Sequence, residues 1–255
     1  MVTFLLFAGL LVGFLLVLRF GAMWGERKGP QPETRGSTTI ESAVFALVAF
    51  FIAFSFSSAQ TRLEGRTQLL IEEANSLSTA YLRLDLCAAD DQTRLRSLYA
   101  QYVALRIDGT RLLPDTNAAQ QPWREAELVG SEIWKLSIKS TTAGGPERML
   151  VVGATNEMLD AATRRSRNAE VHVPWLILAA LVVMSALAAL LAGRSFGSKS
   201  KHPDLHQWIL ACTFALTLTI LMDLDHPRLG FIRMPAGDAA MTAVQQAISN
   251  ASEQR

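Results

Sequence analysis

The sequence predicts an all-α integral membrane protein with four transmembrane helices and a helical extramembrane insertion between the second and third. Two observations carry that class. Half of the 255 residues are hydrophobic, and they gather into blocks long enough to cross a hydrocarbon core. The second block then continues, without a proline, into a different pattern. Leu63, Thr67, Leu70, Ala74, Leu77, Tyr81, Leu84 and Ala88 follow one another at alternating steps of four and three. That is the stripe of a helix packed against other helices rather than lipid. One long helix therefore leaves the membrane and enters a soluble helical body.

In chain order, residues 1–24 form the first transmembrane helix. Residues 2–18 are almost entirely Phe, Leu, Val, Ala and Gly, and Arg19 and Trp24 stand behind them as interfacial anchors. No Lys or Arg precedes the run and no small-x-small site follows it, so it reads as a retained helix rather than a signal peptide. Residues 25–39 are a polar loop carrying Glu26, Arg27, Lys28, Pro30, Pro32 and Arg35. Ser37, Thr38 or Thr39 is placed to cap the next helix. Residues 40–86 are the second transmembrane helix with its soluble continuation.

Residues 87–172 are the helical extramembrane domain. Asp90 or Asp91 is expected to cap a helix striped by Leu95, Leu98, Tyr99, Tyr102, Val103 and Leu105 up to Arg106, antiparallel to the one before it. Asp108-Gly109 and Pro114-Asp115 mark a loop. Pro122 is expected to open a helix bearing Trp123, Ala126, Ile133 and Trp134. After the break at Ala143-Gly144-Gly145-Pro146, residues 147–167 resume a helical pattern.

Residues 173–193 are the third transmembrane helix, entered through Pro174-Trp175. Its small residues, among them Ala179, Ser185, Ala188 and Ala189, suit close helix packing in lipid. Residues 194–206 are a basic loop, 207–225 the fourth transmembrane helix, and 226–255 a tail with a short helix around residues 239–248. An even number of crossings puts both termini and the insertion on one side of the membrane. The Lys and Arg residues flanking the two sides tie, so the side stays open.

A net charge of +1 and the lack of a basic stripe interleaved with aromatics exclude a dedicated nucleic-acid binder. Cys87 and Cys212 make neither zinc spacing nor a disulfide framework, and Cys212 reads as a small buried hydrophobe. Gly193-Arg194-Ser195-Phe196-Gly197 has the spacing of a hydrolase nucleophile elbow. It follows a membrane helix rather than a strand, so it reads as a turn. His202 and His206 stand four apart, but Pro203 between them puts His202 outside the helix, and no metal site is expected. No residues assemble a nucleophile, base and metal, so an enzyme is not expected. No cofactor is expected either.

Three groups remain as candidate sites. Phe45, Phe50, Phe51 and Phe54 could form a hydrophobic constriction if copies of the second helix surround an axis. Packing or lipid contact is the plain reading of the same rings. Arg62, Glu64, Arg66, Glu73 and Asn75 would then ring a vestibule, or else serve as solvated charges and helix–helix ion pairs. Asp223 and Asp225 sit at the C-terminal end of a helix, where the dipole disfavours negative charge. Arg228, Arg233, an arginine of another helix or a cation must offset them, and an ion pair locking the tail is the plainer role.

Several stretches together resemble a known family. Arg62-x-Glu64-x-Arg66, Glu73-Ala74-Asn75, Thr79-Ala80-Tyr81-Leu82-Arg83-x-Asp85-Leu86, Asn156-Glu157-Met158-Leu159-Asp160 and Asp223-Leu224-Asp225-His226-Pro227-Arg228-x-Gly230-x-Ile232-Arg233 are similar to the bestrophin-like domain family of bacterial membrane proteins. More distantly, residues 53–62 resemble the stretch leaving the second membrane helix of true bestrophin channels. Residues 223–230 resemble the stretch after their last one. The chain lacks the long acidic run with which animal bestrophins clasp calcium. The resemblance implies a homopentamer in the lipid bilayer of a bacterial inner membrane. Its second helices would line a pore for small monovalent ions, chloride or cations. A membrane-anchored sensor or scaffold, whose helical domain binds a protein partner without conduction, is the alternative.

Overall fold

The computed structural model describes residues 2–27, 35–113, 115–169, 171–196 and 204–253. Among them the chain is all-helical: α1 Val2–Arg27, α2 Arg35–Leu82, a 3-10 turn at Arg83–Leu86, α3 Ala89–Leu112, α4 Thr116–Lys139, α5 Pro146–Ala169, α6 Trp175–Phe196, α7 Leu205–Asp225 and α8 Pro235–Glu253. Among the described residues four helices are long and apolar enough to cross a membrane, by length and composition: Val2–Arg27, Thr39–Leu86, Trp175–Ser195 and Leu205–Asp225. The chain divides into two compact units, and the division falls inside α2, between Leu63 and Glu64.

The first unit comprises residues 1–63 and 172–232. In it α1 packs on α6 and α7, which also pack on each other. Phe14, Leu18, Leu181, Ala188, Ala215 and Leu218 make much of the core, with the Phe14 and Phe214 rings 5.5 Å apart. Small residues let α1 and α6 come very close. A side chain at Gly193 would strike the Leu18 backbone, and one at Gly21 the Leu190 carbonyl. The outward faces of these helices stay apolar, with Phe4, Leu16, Trp175 and Ile209 all exposed.

The second unit comprises residues 64–171 and 233–255. There α3 pairs with α4 and α8, and α4 with α5, around Leu70, Leu77, Tyr99, Ile133, Met158 and Met241. Several local expectations need correction here. Neither Asp90 nor Asp91 caps α3: Ala88 holds that position without a side-chain bond, and both acids sit in the first turn, where the helix dipole favours them. Gly109 does not end α3. The helix runs on to Leu112, and the Trp123 ring lies against Gly109 where a side chain would be. Pro122 does not open α4. Asp115 Oδ1 caps it earlier, accepting the Asn117 and Ala118 N–H groups at 3.1 and 3.0 Å, and leaves the proline inside the helix. Arg194 to Phe196 extend α6 rather than turning.

Residues 28–34 and 197–203 of the two expected loops, with Gly197 and His202, lie outside the described residues.

Candidate functional site

Along the first-unit part of α2, Val48, Ser55 and Ala59 are buried, and Phe45 and Ile52 pack partly against the same core. That leaves the opposite face unpacked. Phe50 and Phe54, four residues apart and so on one face, are each 64% exposed. Phe51 stands beside them, its ring edge-on to Phe50 with centroids 5.9 Å apart. Of the four phenylalanines singled out from the sequence, three therefore share the unpacked side and Phe45 belongs to the packed one.

At the end of α7 the two acids are handled differently. Asp225 is fully buried. Its Oδ1 accepts from Arg62 Nε at 3.2 Å, and the Val173 N–H donates to Oδ1 and Oδ2 at 3.2 and 3.1 Å. The neighbouring His226 ring stacks on His172 with centroids 4.5 Å apart. Asp223 Oδ2 instead accepts the Phe231 and Ile232 N–H groups at 2.8 and 3.2 Å, so this carboxylate folds the chain after α7 back onto the helix end. The turn needs Arg228 at a φ of 85°, a left-handed conformation that costs an L-residue about 1–2 kcal/mol. It also needs Gly230, where a side chain would strike Asp223 and Thr3. Arginine from another helix and main-chain N–H groups thus offset the helix-end charges.

In the second unit Glu73 has no exposed surface. Arg106 Nε donates to its Oε1 at 2.5 Å and Arg165 Nη1 to its Oε2 at 2.6 Å. Arg165 Nη2 also donates to Thr110 Oγ1 at 2.5 Å, and that hydroxyl donates to the Arg106 carbonyl at 2.7 Å. Burial works to lower the Arg106 pKa, but the charge and hydrogen bond of Glu73 together with the nearby Tyr102 and Glu127 outweigh it and the net shift is upward. Burial pushes the neighbouring Tyr102 phenol up to about 12. The cluster joins α2, α3 and α5 by charge-assisted bonds.

The charges expected around a vestibule therefore divide. Glu64 and Asn75 are exposed. Arg66 is buried and donates to the Val171 carbonyl at 2.8 Å, Arg62 holds Asp225, and Glu73 lies inside the cluster. Arg106 and Arg165 were not singled out from the sequence. The signal was present for Arg106, which follows Tyr102 and Val103 on their own stripe, where a charge must find a partner. Among the described residues no group of three or more His, Cys, Asp and Glu side chains could hold a metal ion. Ser195, from the elbow-like spacing, lies in α6 and donates to Glu41 at 2.9 Å.

Residues 5–239 match the family described as Bestrophin-like domain. No curated protein matches the chain. Among solved structures, a variant of a bacterial bestrophin homolog from Klebsiella pneumoniae superposes with a TM-score of 0.69 at 16% identity, covering 95% of this chain and 98% of that one. A further structure of a bestrophin homolog from the same organism gives 0.68 at 18% identity, covering 95% and 97%. The likeness shows a shared fold.

Proposed function

This chain belongs to the Bestrophin-like domain family, and from that premise we propose that it is an oligomeric ion channel, five copies of which surround a path for small monovalent ions. The observation that carries the reading is the unpacked face of α2 in the first unit, where Phe50 and Phe54 are each 64% exposed. Facing one another across an axis, such rings make a constriction that opens and closes by wetting and dewetting. In this reading residues 40–59 cross the membrane and the helical residues 87–172 lie outside it. The membrane is the inner membrane of a bacterium, the side of the insertion being left open. Asp223 and Asp225 set the end of the fourth crossing, with Arg62 as the partner of Asp225. No step calls for catalysis or a cofactor.

Ion flux from liposomes holding the purified full chain tests this. The wild-type protein is expected to conduct, and Phe50→Ala and Phe54→Ala to change the rate severalfold by widening and wetting the constriction. No flux under several salts and voltages, from protein shown to be folded and oligomeric, would leave the membrane-anchored scaffold as the better reading.

A further inference from the structure

We propose that the turn after α7 is a membrane-interface anchor, with the Phe231 ring seated at the boundary between lipid headgroups and acyl chains. Phe231 is 84% exposed, more than any other bulky apolar side chain among the described residues. Its position is fixed by the turn that carries it. The Phe231 and Ile232 N–H groups both donate to the buried Asp223 carboxylate, and the Arg228 N–H donates to the Ile232 carbonyl at 3.0 Å. Arg228 takes a positive φ to close the turn, and Gly230 lets it lie against Asp223 and Thr3. Ile232 packs partly on the core of the first unit, while Phe231 beside it is held outward.

The turn sits at one end of the helices of the first unit. Thr3, against Gly230, brings the start of α1 to that end, and the Val173 N–H on Asp225 ties the entry of α6 to the end of α7. There α1 exposes Phe4 and Leu5, α6 exposes Trp175 and Leu176, and the turn adds Leu229 and Phe231. Because α1, α6 and α7 pack on one another, their outward faces point in different directions. A docked protein would cover one of those directions, whereas lipid surrounds them all. The apolar outer surface continues along the same helices through Leu16 and Leu187, so the aromatic end is the rim of a lipid-facing surface. Polar groups begin at that rim, with His172 exposed just before α6 and Arg228 half-buried in the turn. This is the level at which aromatic side chains gather in a bilayer. The anchor holds whether or not α2 lines a conducting path.

Photocrosslinking of the full chain tests the anchor. The photoreactive residue p-benzoylphenylalanine replaces Phe231, Leu176 of α6, or Met149 of the second unit, which is 81% exposed. Each variant is reconstituted in liposomes of phosphatidylcholine and phosphatidylglycerol and irradiated. All three sites are exposed, so unchanged elution is expected to show that the variants fold. Intact mass is expected to reveal phospholipid adducts at position 231 in a yield close to that at 176 and severalfold above that at 149. A covalent dimer in place of the lipid adduct would assign the ring to a neighbouring copy, and a yield no higher than at 149 would place it in water. Either result overturns the anchor. Phe231→Trp gives an independent reading. Its fluorescence above the wild-type background is expected to be quenched in liposomes of brominated phosphatidylcholine, and an added signal that bromine leaves untouched would likewise overturn the anchor.

Discussion

Glu73 shows what a single buried charge commits a chain to. Its carboxylate has no exposed surface and is the common acceptor for Arg106 and Arg165. Glu73→Gln would remove the counter-charge that both guanidinium groups share, one of them nearly as buried as Glu73 itself. Removing one partner from such a cluster costs about 3–5 kcal/mol. Chemical unfolding of the variant in detergent is expected to show a loss of that size, and a loss below about 1 kcal/mol would mean that the cluster is not a principal tie between its helices. The sequence carried a signal here, since Glu73 lies between Leu70 and Leu77 on the packed stripe. It could not say which arginines would answer, because Arg165 stands 92 residues away along the chain.

At the scale of the element, the contact of α1 with α6 depends on glycine for space rather than for conformation. Gly193 lies against the Leu18 backbone, whereas Gly13 has nothing within 4 Å of where a side chain would begin. Gly193→Ala is expected to push the helices apart and cost about 1–3 kcal/mol. Gly13→Ala gains helix propensity, up to about 1 kcal/mol. Melting temperatures of the two variants in one detergent are expected to move in opposite directions. Elements were largely legible from periodicity, but their ends were not. Asp115 was available as a cap seven residues before Pro122, and choosing between them requires knowing which donors it reaches. Likewise Gly109 looks like a helix breaker until the Trp123 ring is seen to need its place.

For the whole molecule, the apolar outward faces of the first unit are a statement about solvent. Phe4, Leu16, Trp175 and Ile209 would be costly in water and are at home in lipid. The protein is expected to stay with membranes through alkaline carbonate washing. In mild detergent it is expected to elute at a protein mass several times 27.9 kDa, the signature of the proposed oligomer; a monomeric mass by light scattering would contradict it. The sequence by itself determined the helical class, four apolar helices and the family, because hydropathy, helical period and motif spacing are local or one-dimensional. Only the tertiary structure decided which of the charges on α2 are packed and which are exposed. Arg62, Arg66 and Glu73 occupy the packed side of α2 while Glu64 and Glu72 are exposed. That choice belongs to partners brought from distant parts of the chain: Asp225, the Val171 carbonyl, Arg106 and Arg165. A buried charge settles where its counter-charge or hydrogen-bond partner lies, and linear order does not reveal that place.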